Sequence, residues 1–156
     1  MVELARPARD QDRTICGALL RDALTAAQAM RGGAVLVGST TAEELLGRWF
    51  DGARSGGTAV LVGEFEQAVV GLAATSTYRR KGSTDLTGRI ACCYVEEAAR
   101  GVGVGTALMA AAVSWCAEQG CRDIDALALP GDRTSKQRLE AAGFTARLLT
   151  LNHRLG

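Results

Sequence analysis

The stretch Tyr94-Val95-Glu96-Glu97-Ala98-Ala99-Arg100-Gly101-Val102-Gly103-Val104-Gly105-Thr106 has residue types and spacing suited to holding a phosphate. An apolar strand-like run leads into it and a helical pattern leads out. Glycines without side chains let a phosphate approach the backbone. The first turn of the helix offers unpaired N–H groups and a partial positive charge. Three kinds of phosphate loop must be told apart. The triphosphate loop needs GxxxxGK[ST], and no lysine follows these glycines. The dinucleotide fingerprint needs GxGxxG, but counting from Gly101 puts Thr106 at the third glycine, and counting from Gly103 puts Leu108 there. The pattern left is Arg100-x-x-Gly103-x-Gly105.

On that pattern, with Tyr94-Val95 ending the strand five residues before the arginine, the chain resembles the GNAT superfamily of N-acetyltransferases. A second stretch fits the same family. The family commonly reads Asn-x-x-Ala and then aromatic-Tyr-Glu-Lys-x-Gly-Phe. In this chain Asp132-Arg133-Thr134-Ser135-Lys136-Gln137-Arg138-Leu139-Glu140-Ala141-Ala142-Gly143-Phe144 lies in register, with Glu140, Gly143 and Phe144 matching. The resemblance implies a direct transfer of an acetyl or other acyl group from acetyl-CoA to a primary amine. It implies that Arg100, Gly101, Val102, Gly103, Gly105 and Thr106 hold the pyrophosphate, chiefly through amides. It further implies that the Val95 backbone pairs with the pantetheine arm and polarises the thioester carbonyl. Asp132, standing for the asparagine, and Lys136 join the cofactor-binding set, Lys136 as a cation for a cofactor phosphate or as a solvated helix residue.

The departures concern proton transfer. Leu139 stands where many relatives have a tyrosine that protonates the leaving thiolate, and Arg89 stands mid-strand where some have a carboxylate base. Glu97 and Tyr94 are the remaining catalytic candidates. These gaps give the rival reading its content: a non-catalytic acyl-CoA sensor or regulatory domain on the same fold. The acceptor side, from the first two helices and the loop Arg79–Asp85, carries no acceptor signature, so a small-molecule or a peptide amine fits equally.

The elements that must position these residues follow from periodicity. Val2 to Ala5 alternates as a first strand. Ile15, Leu19, Ala23 and Ala27 set an amphipathic helix over 10–30, ended at Gly32-Gly33. Thr41-x-x-Glu44 is a capping box for a second helix through Phe50. Thr58–Gly63 and Ala68–Tyr78 form a hairpin turning at Glu64–Gln67, and Leu86–Val95 is the third long strand. A helix from Gly103 to Gln119, a strand Asp123–Leu129, a helix Asp132–Ala142 and a last strand Phe144–Leu151 complete the order. Ala34–Gly38 has no assignment. The result is a single α/β domain over 1–156, with a mixed, mostly antiparallel sheet flanked by helices. The strands either side of the glycine-loop helix should be parallel and splay apart, so that the pantetheine inserts between them.

Composition adds bounds. A chain of 156 residues suits one domain, and its net charge of +1 marks neither a nucleic-acid nor a membrane binder. Five cysteines, with a single histidine (His153), make no metal-ligand spacing, so no metal is expected and the thiols read as buried and reduced. Without a signal-like start or a span-length apolar run, the expectation is a cytoplasmic protein, and an exposed edge strand would allow a homodimer.

Overall fold

The computed structural model describes residues 4–156. Five strands form one sheet in the order β1-β2-β3-β4-β5: β1 Ala5–Pro7, β2 Thr58–Phe65, β3 Ala68–Arg79, β4 Leu86–Val95 and β5 Asp123–Ala126. Neighbours are antiparallel except β4 and β5, which run parallel. A parallel pair needs a crossover, and helix α4 (Val104–Glu118) supplies it. Helices α1 (Arg13–Gln28), α2 (Gly33–Val37) and α3 (Ala42–Ser55) precede the hairpin, and α5 (Arg133–Ala141) follows β5.

The sheet is covered on both faces, so β2 is apolar without a break over Ala59–Val62. Leu61 points into the layer formed with Leu108, Met109 and Ala112 of α4. Val60 and Val62 point the other way, onto Leu19 and Leu20 of α1 and Leu46 and Phe50 of α3. The β2–β3 connection is tighter than the sequence suggests. Only Glu66 and Gln67 form the turn, both at positive φ (49° and 67°), the geometry of a two-residue hairpin loop.

Two glycines fix where α4 lies. Gly63 and Gly71 face each other across β2 and β3. A Cβ on Gly63 would stand 2.4 Å from Val104 Cγ1, and one on Gly71 would stand 2.9 Å from Leu108 Cδ1. Their bareness lets the first turns of α4 press directly on the sheet, which sets the glycine loop beside the end of β4.

A β-bulge shapes the other side of that site. Ala74 faces Cys92 and Thr75 faces Ile90, so Ala91 is an extra residue in β4. The bulge switches faces: Ile90 packs on the α4 side, whereas Cys92 packs on the α1 side. β5 pairs with β4 only as far as Ile90–Ala126. The sequence predicts this strand to Leu129; it stops at Ala126, where its partner bends at the bulge. Residues 91–95 are left without a strand on that edge.

The capping box at Thr41 forms, with Glu44 N–H donating to Thr41 Oγ1 at 3.2 Å and Thr41 N–H donating to Glu44 Oε2 at 2.9 Å. Ala34–Val37 falls within the short helix α2. The first strand is Ala5–Pro7; Leu4 still accepts from Glu64 N–H, and Val2 and Glu3 lie outside the described residues. One expectation is overturned. Phe144–Leu151 forms no strand. Phe144 packs against the α4-side core, but Leu148, Leu149 and Leu151 are 86%, 80% and 91% exposed. A strand needs a ladder partner, and four-residue β5 meets this segment through side chains, Arg147 reaching Asp125 at 3.0 Å and Asp123 at 3.5 Å. Among the described residues no helix is long and apolar enough to cross a membrane.

Candidate active site

The glycine loop brings left-handed backbone and a helix start together. Gly101 and Gly103 take φ values of +85° and +94°, a region closed to ordinary side chains at modest cost. The first intrahelical bond of α4 runs from Ala107 N–H to the Gly103 carbonyl at 3.0 Å. The N–H groups of Val104, Gly105 and Thr106 therefore precede the hydrogen-bonded ladder, and no side chain caps them. They point out of the helix start beside the free end of β4. The residues fit a phosphate because bare glycines and open donors coincide there.

The end of β4 supplies the second part. Glu96 N–H donates to the Val70 carbonyl at 3.0 Å, on the β3 side. Polar backbone groups alternate along a strand, so those of Val95 turn to the edge that β5 leaves free. The Val95 carbonyl there accepts from Arg100 Nε at 3.0 Å. Its N–H is left facing the gap. The Arg100 guanidinium also stands 5.8 Å from the Tyr94 ring centroid.

Between this edge, α1–α2 and α5 lies a cavity of about 240 Å³. Val95, Tyr94, Arg100 and Asp132 all line it. Asp132 uses its carboxylate to cap α5, accepting from Ser135 N–H at 3.0 Å. The far wall is apolar, with Ala23, Ala26 and Ala27 from α1, Met30 just past its end and Leu36 from α2. Gly101, Val102, Gly103 and Thr106 are exposed on the loop, Gly105 is buried behind them, and none of the five lines the cavity. Glu97 is exposed in the turn before the loop and Lys136 is exposed on α5, and neither lines the cavity.

Sequence reasoning missed Arg138, which reaches into the cavity from α5. The signal was present in the register of the second family stretch, where Arg138 occupies the aromatic position before Leu139. Cys92 and Cys93 line the cavity as well. Burial pushes the Cys92 thiol up to about 12. Burial also raises Cys93, against the opposing pull of Arg138. Both are thiols, not thiolates, at neutral pH, and neither has a histidine beside it to act as a base.

Arg89 and Arg80 lie elsewhere. Arg89 stacks on Tyr78 at 4.1 Å, and Tyr78 Oη donates to Asp125 at 2.7 Å. Arg80 bridges Asp123 and Asp125, each at 2.9 Å. Arg80 is thus committed to β5.

Three solved structures show the same fold at low identity. An aminoglycoside N-acetyltransferase in complex with CoA aligns with a TM-score of 0.74 at 16% identity, covering 97% of this chain and 93% of its own. An acetyltransferase with acetyl-CoA from Clostridium acetobutylicum aligns at 0.72 and 18%, covering 95% and 94%. The glucosamine-6-phosphate N-acetyltransferase of Arabidopsis thaliana aligns at 0.66 and 16%, covering 97% of each chain. No curated protein matches the sequence at a significant level. The family model of the acetyltransferase (GNAT) family matches residues 36–144, from α2 through the glycine loop to the end of α5. With more than half of its length matched by that model, the chain belongs to the acetyltransferase (GNAT) family.

Proposed function

We propose that the protein transfers an acetyl or other acyl group from acyl-CoA directly to a primary amine. The observation that carries this reading is the free edge of β4 at 91–95, set beside the open amides of α4. The pyrophosphate would sit on the loop 101–106, and the pantetheine would fill the place that β5 vacates. The Val95 N–H would then donate to the thioester oxygen as negative charge develops on it. The amine nitrogen attacks the carbonyl carbon, the adduct collapses, and the sulfur leaves with the bonding electrons.

The acceptor side is a wall of alanines with Met30 and Leu36. Asp132 is the one carboxylate lining the cavity among the described residues, and it is engaged by Ser135. An amine on an apolar body suits this wall better than a polycation. The amine must also arrive neutral. For an amine of pKa about 10.4 that costs roughly 4 to 5 kcal/mol at pH 7, so the rate should rise with pH. That proton is lost to solvent, and Glu97, exposed in the turn before the loop, could take it only through water.

The test is an acceptor screen, with acetyl-CoA as donor, free thiol as the signal and product mass as confirmation. Arylalkylamines, an aminoglycoside and peptide N-termini make the panel. Acylated product from the apolar amines supports the reading. CoA binding without thiol release across the panel would favour a sensor on the same fold.

A further inference from the structure

We infer that the Arg138 guanidinium receives the CoA sulfur as it leaves as a thiolate, doing electrostatically what an acid would otherwise do by protonation. The inference rests on the acyl-CoA reading of the cavity and names a group for a step that reading leaves unassisted. When the tetrahedral adduct collapses, the C–S bond breaks and both electrons stay on sulfur. The nitrogen loses its proton to solvent. The products are an amide, one proton and a thiolate that needs a proton or a cation.

The titratable groups lining the cavity are Cys92, Cys93, Tyr94, Arg100, Asp132 and Arg138. Five of them are unsuited. Asp132 carries the wrong charge and caps α5. Cys92 and Cys93 are weak acids, raised further by burial. Arg100 is committed to the Val95 carbonyl. Tyr94 packs with the α1-side cluster, on the opposite face of β4 from Cys93 and Val95. Leu139, the next residue of α5, offers only hydrocarbon.

Arg138 is placed for the task. A Cβ on Gly105 would stand 2.7 Å from its Cζ and 2.9 Å from both Nε and Nη2. The guanidinium therefore lies flat against bare backbone in the first turn of α4. On its other side Nη1 comes within 3.9 Å of Cys93 Sγ, two residues before Val95 on the same face of β4. It thus bridges the pyrophosphate loop and the strand along which the thioester would lie. Among the described residues it makes no ion pair with a carboxylate. Arginine stays charged under all working conditions, and a nearby cation makes a thiol more acidic. Cys93 already feels that pull from Arg138, against its burial. A CoA sulfur at the same place would feel it too.

The test needs no acceptor. CoA and desulfo-CoA, which lacks the sulfur, are titrated calorimetrically into the wild type, Arg138→Met and Arg138→Lys, each checked for native circular dichroism. The ionisation of bound CoA is then followed by ultraviolet difference absorbance of the thiolate, with the desulfo-CoA complex as blank so that the protein's own thiols cancel. The expected result is a bound thiol more acidic than free CoA in the wild type. It should move up by about one pH unit or more in Arg138→Met, as removal of a close cation requires, and by less in Arg138→Lys, while desulfo-CoA affinity stays within about threefold. An unchanged thiol pKa in a folded variant that binds CoA would overturn the inference while leaving the acyl-CoA reading intact. A tenfold or greater loss of desulfo-CoA affinity would overturn it in favour of a pyrophosphate clamp. Failure of the wild type to bind CoA at all would remove both. If Arg138→Met does not fold, Arg138→Lys carries the comparison, and a lysine variant with wild-type affinities and wild-type pKa after its head group has left the sulfur would count against the assignment.

Discussion

Arg100 Nε donates to the Val95 carbonyl at 3.0 Å, closing a ring between the strand end and the glycine loop that follows it. The arginine in Arg100-x-x-Gly103-x-Gly105 therefore holds backbone here, and orients the residue whose N–H faces the gap. Arg100→Ala should release that peptide and weaken CoA binding about tenfold, within the range for a hydrogen bond from a charged group. Calorimetric titration with CoA measures it; unchanged affinity would mean the loop keeps its shape without the clamp.

The positive φ of Gly103 makes a second site of failure. Any side chain there adopts a left-handed conformation at a cost of roughly 1–2 kcal/mol. The space around it is open enough, since the nearest atom to a Cβ would be Leu4 Cδ1 at 3.6 Å. Gly103→Val should thus fold, with slightly lower stability, and lose CoA affinity because the branched side chain stands over the cradle. Native circular dichroism with wild-type CoA binding would contradict the site assignment.

Far from the loop, Gly88 touches Cys116 of α4 so closely that a Cβ would stand 2.5 Å from its sulfur. Cys116 is wholly buried and lies 3.3 Å from Thr75 Oγ1, so it has little room to yield. Gly88→Ala should cost about 1–3 kcal/mol by overpacking. In urea denaturation the pair Gly88→Ala with Cys116→Ala should lose less than the sum of the two single changes.

Acid should find the Arg6–Asp12 pair first. Asp12 is 5% exposed, and Arg6 grips it at 2.8 Å while also meeting Glu64 at 2.6 Å. The Arg6 hydrogen bond holds the Asp12 carboxyl below its ordinary value, with the Arg9 N–H adding to it. A carboxylate whose pKa is lowered by folding stabilises fully above its unfolded pKa of about 3.9, and that contribution is lost as the pH falls through the folded pKa. Stability should therefore drop below about pH 4 in the wild type. Asp12→Asn should remove about 1.5–3 kcal/mol at pH 7, since it takes the charged acceptor from Arg6 and leaves Glu64 as its one carboxylate partner, and should flatten the acid limb. Denaturant midpoints at pH 3 to 7 report both.

Much of this architecture is legible in the residues. Period-four apolar residues mark α1, the Thr41–Glu44 box marks the start of α3, and Gly101 and Gly103 mark the loop because glycine suits their left-handed dihedrals. The bulge at Ala91 was not legible. It is a mismatch between two strands, and no single stretch of sequence encodes it. The same limit explains the overlong β5 and the strand expected at Phe144–Leu151, whose apolar residues suggest pairing but cannot supply a partner. Arg138 escaped notice for another reason. A charged residue on a short helix reads as solvated until the fold lays it against a glycine 33 positions earlier in the chain.

β5 ends the sheet, and its outer edge has no strand beside it among the described residues. Two of its four residues are Asp123 and Asp125, tied to Arg80 and Arg147. A short strand studded with charge is a poor template for another chain. In colloidal terms, repulsion and hydration at this rim keep one molecule from growing onto the next, and both depend on the medium. Concentrated salt screens such charges and acid removes them, so a preparation that stays monodisperse in dilute neutral buffer should thicken into larger particles when either is applied, with light scattering rising before secondary structure is lost.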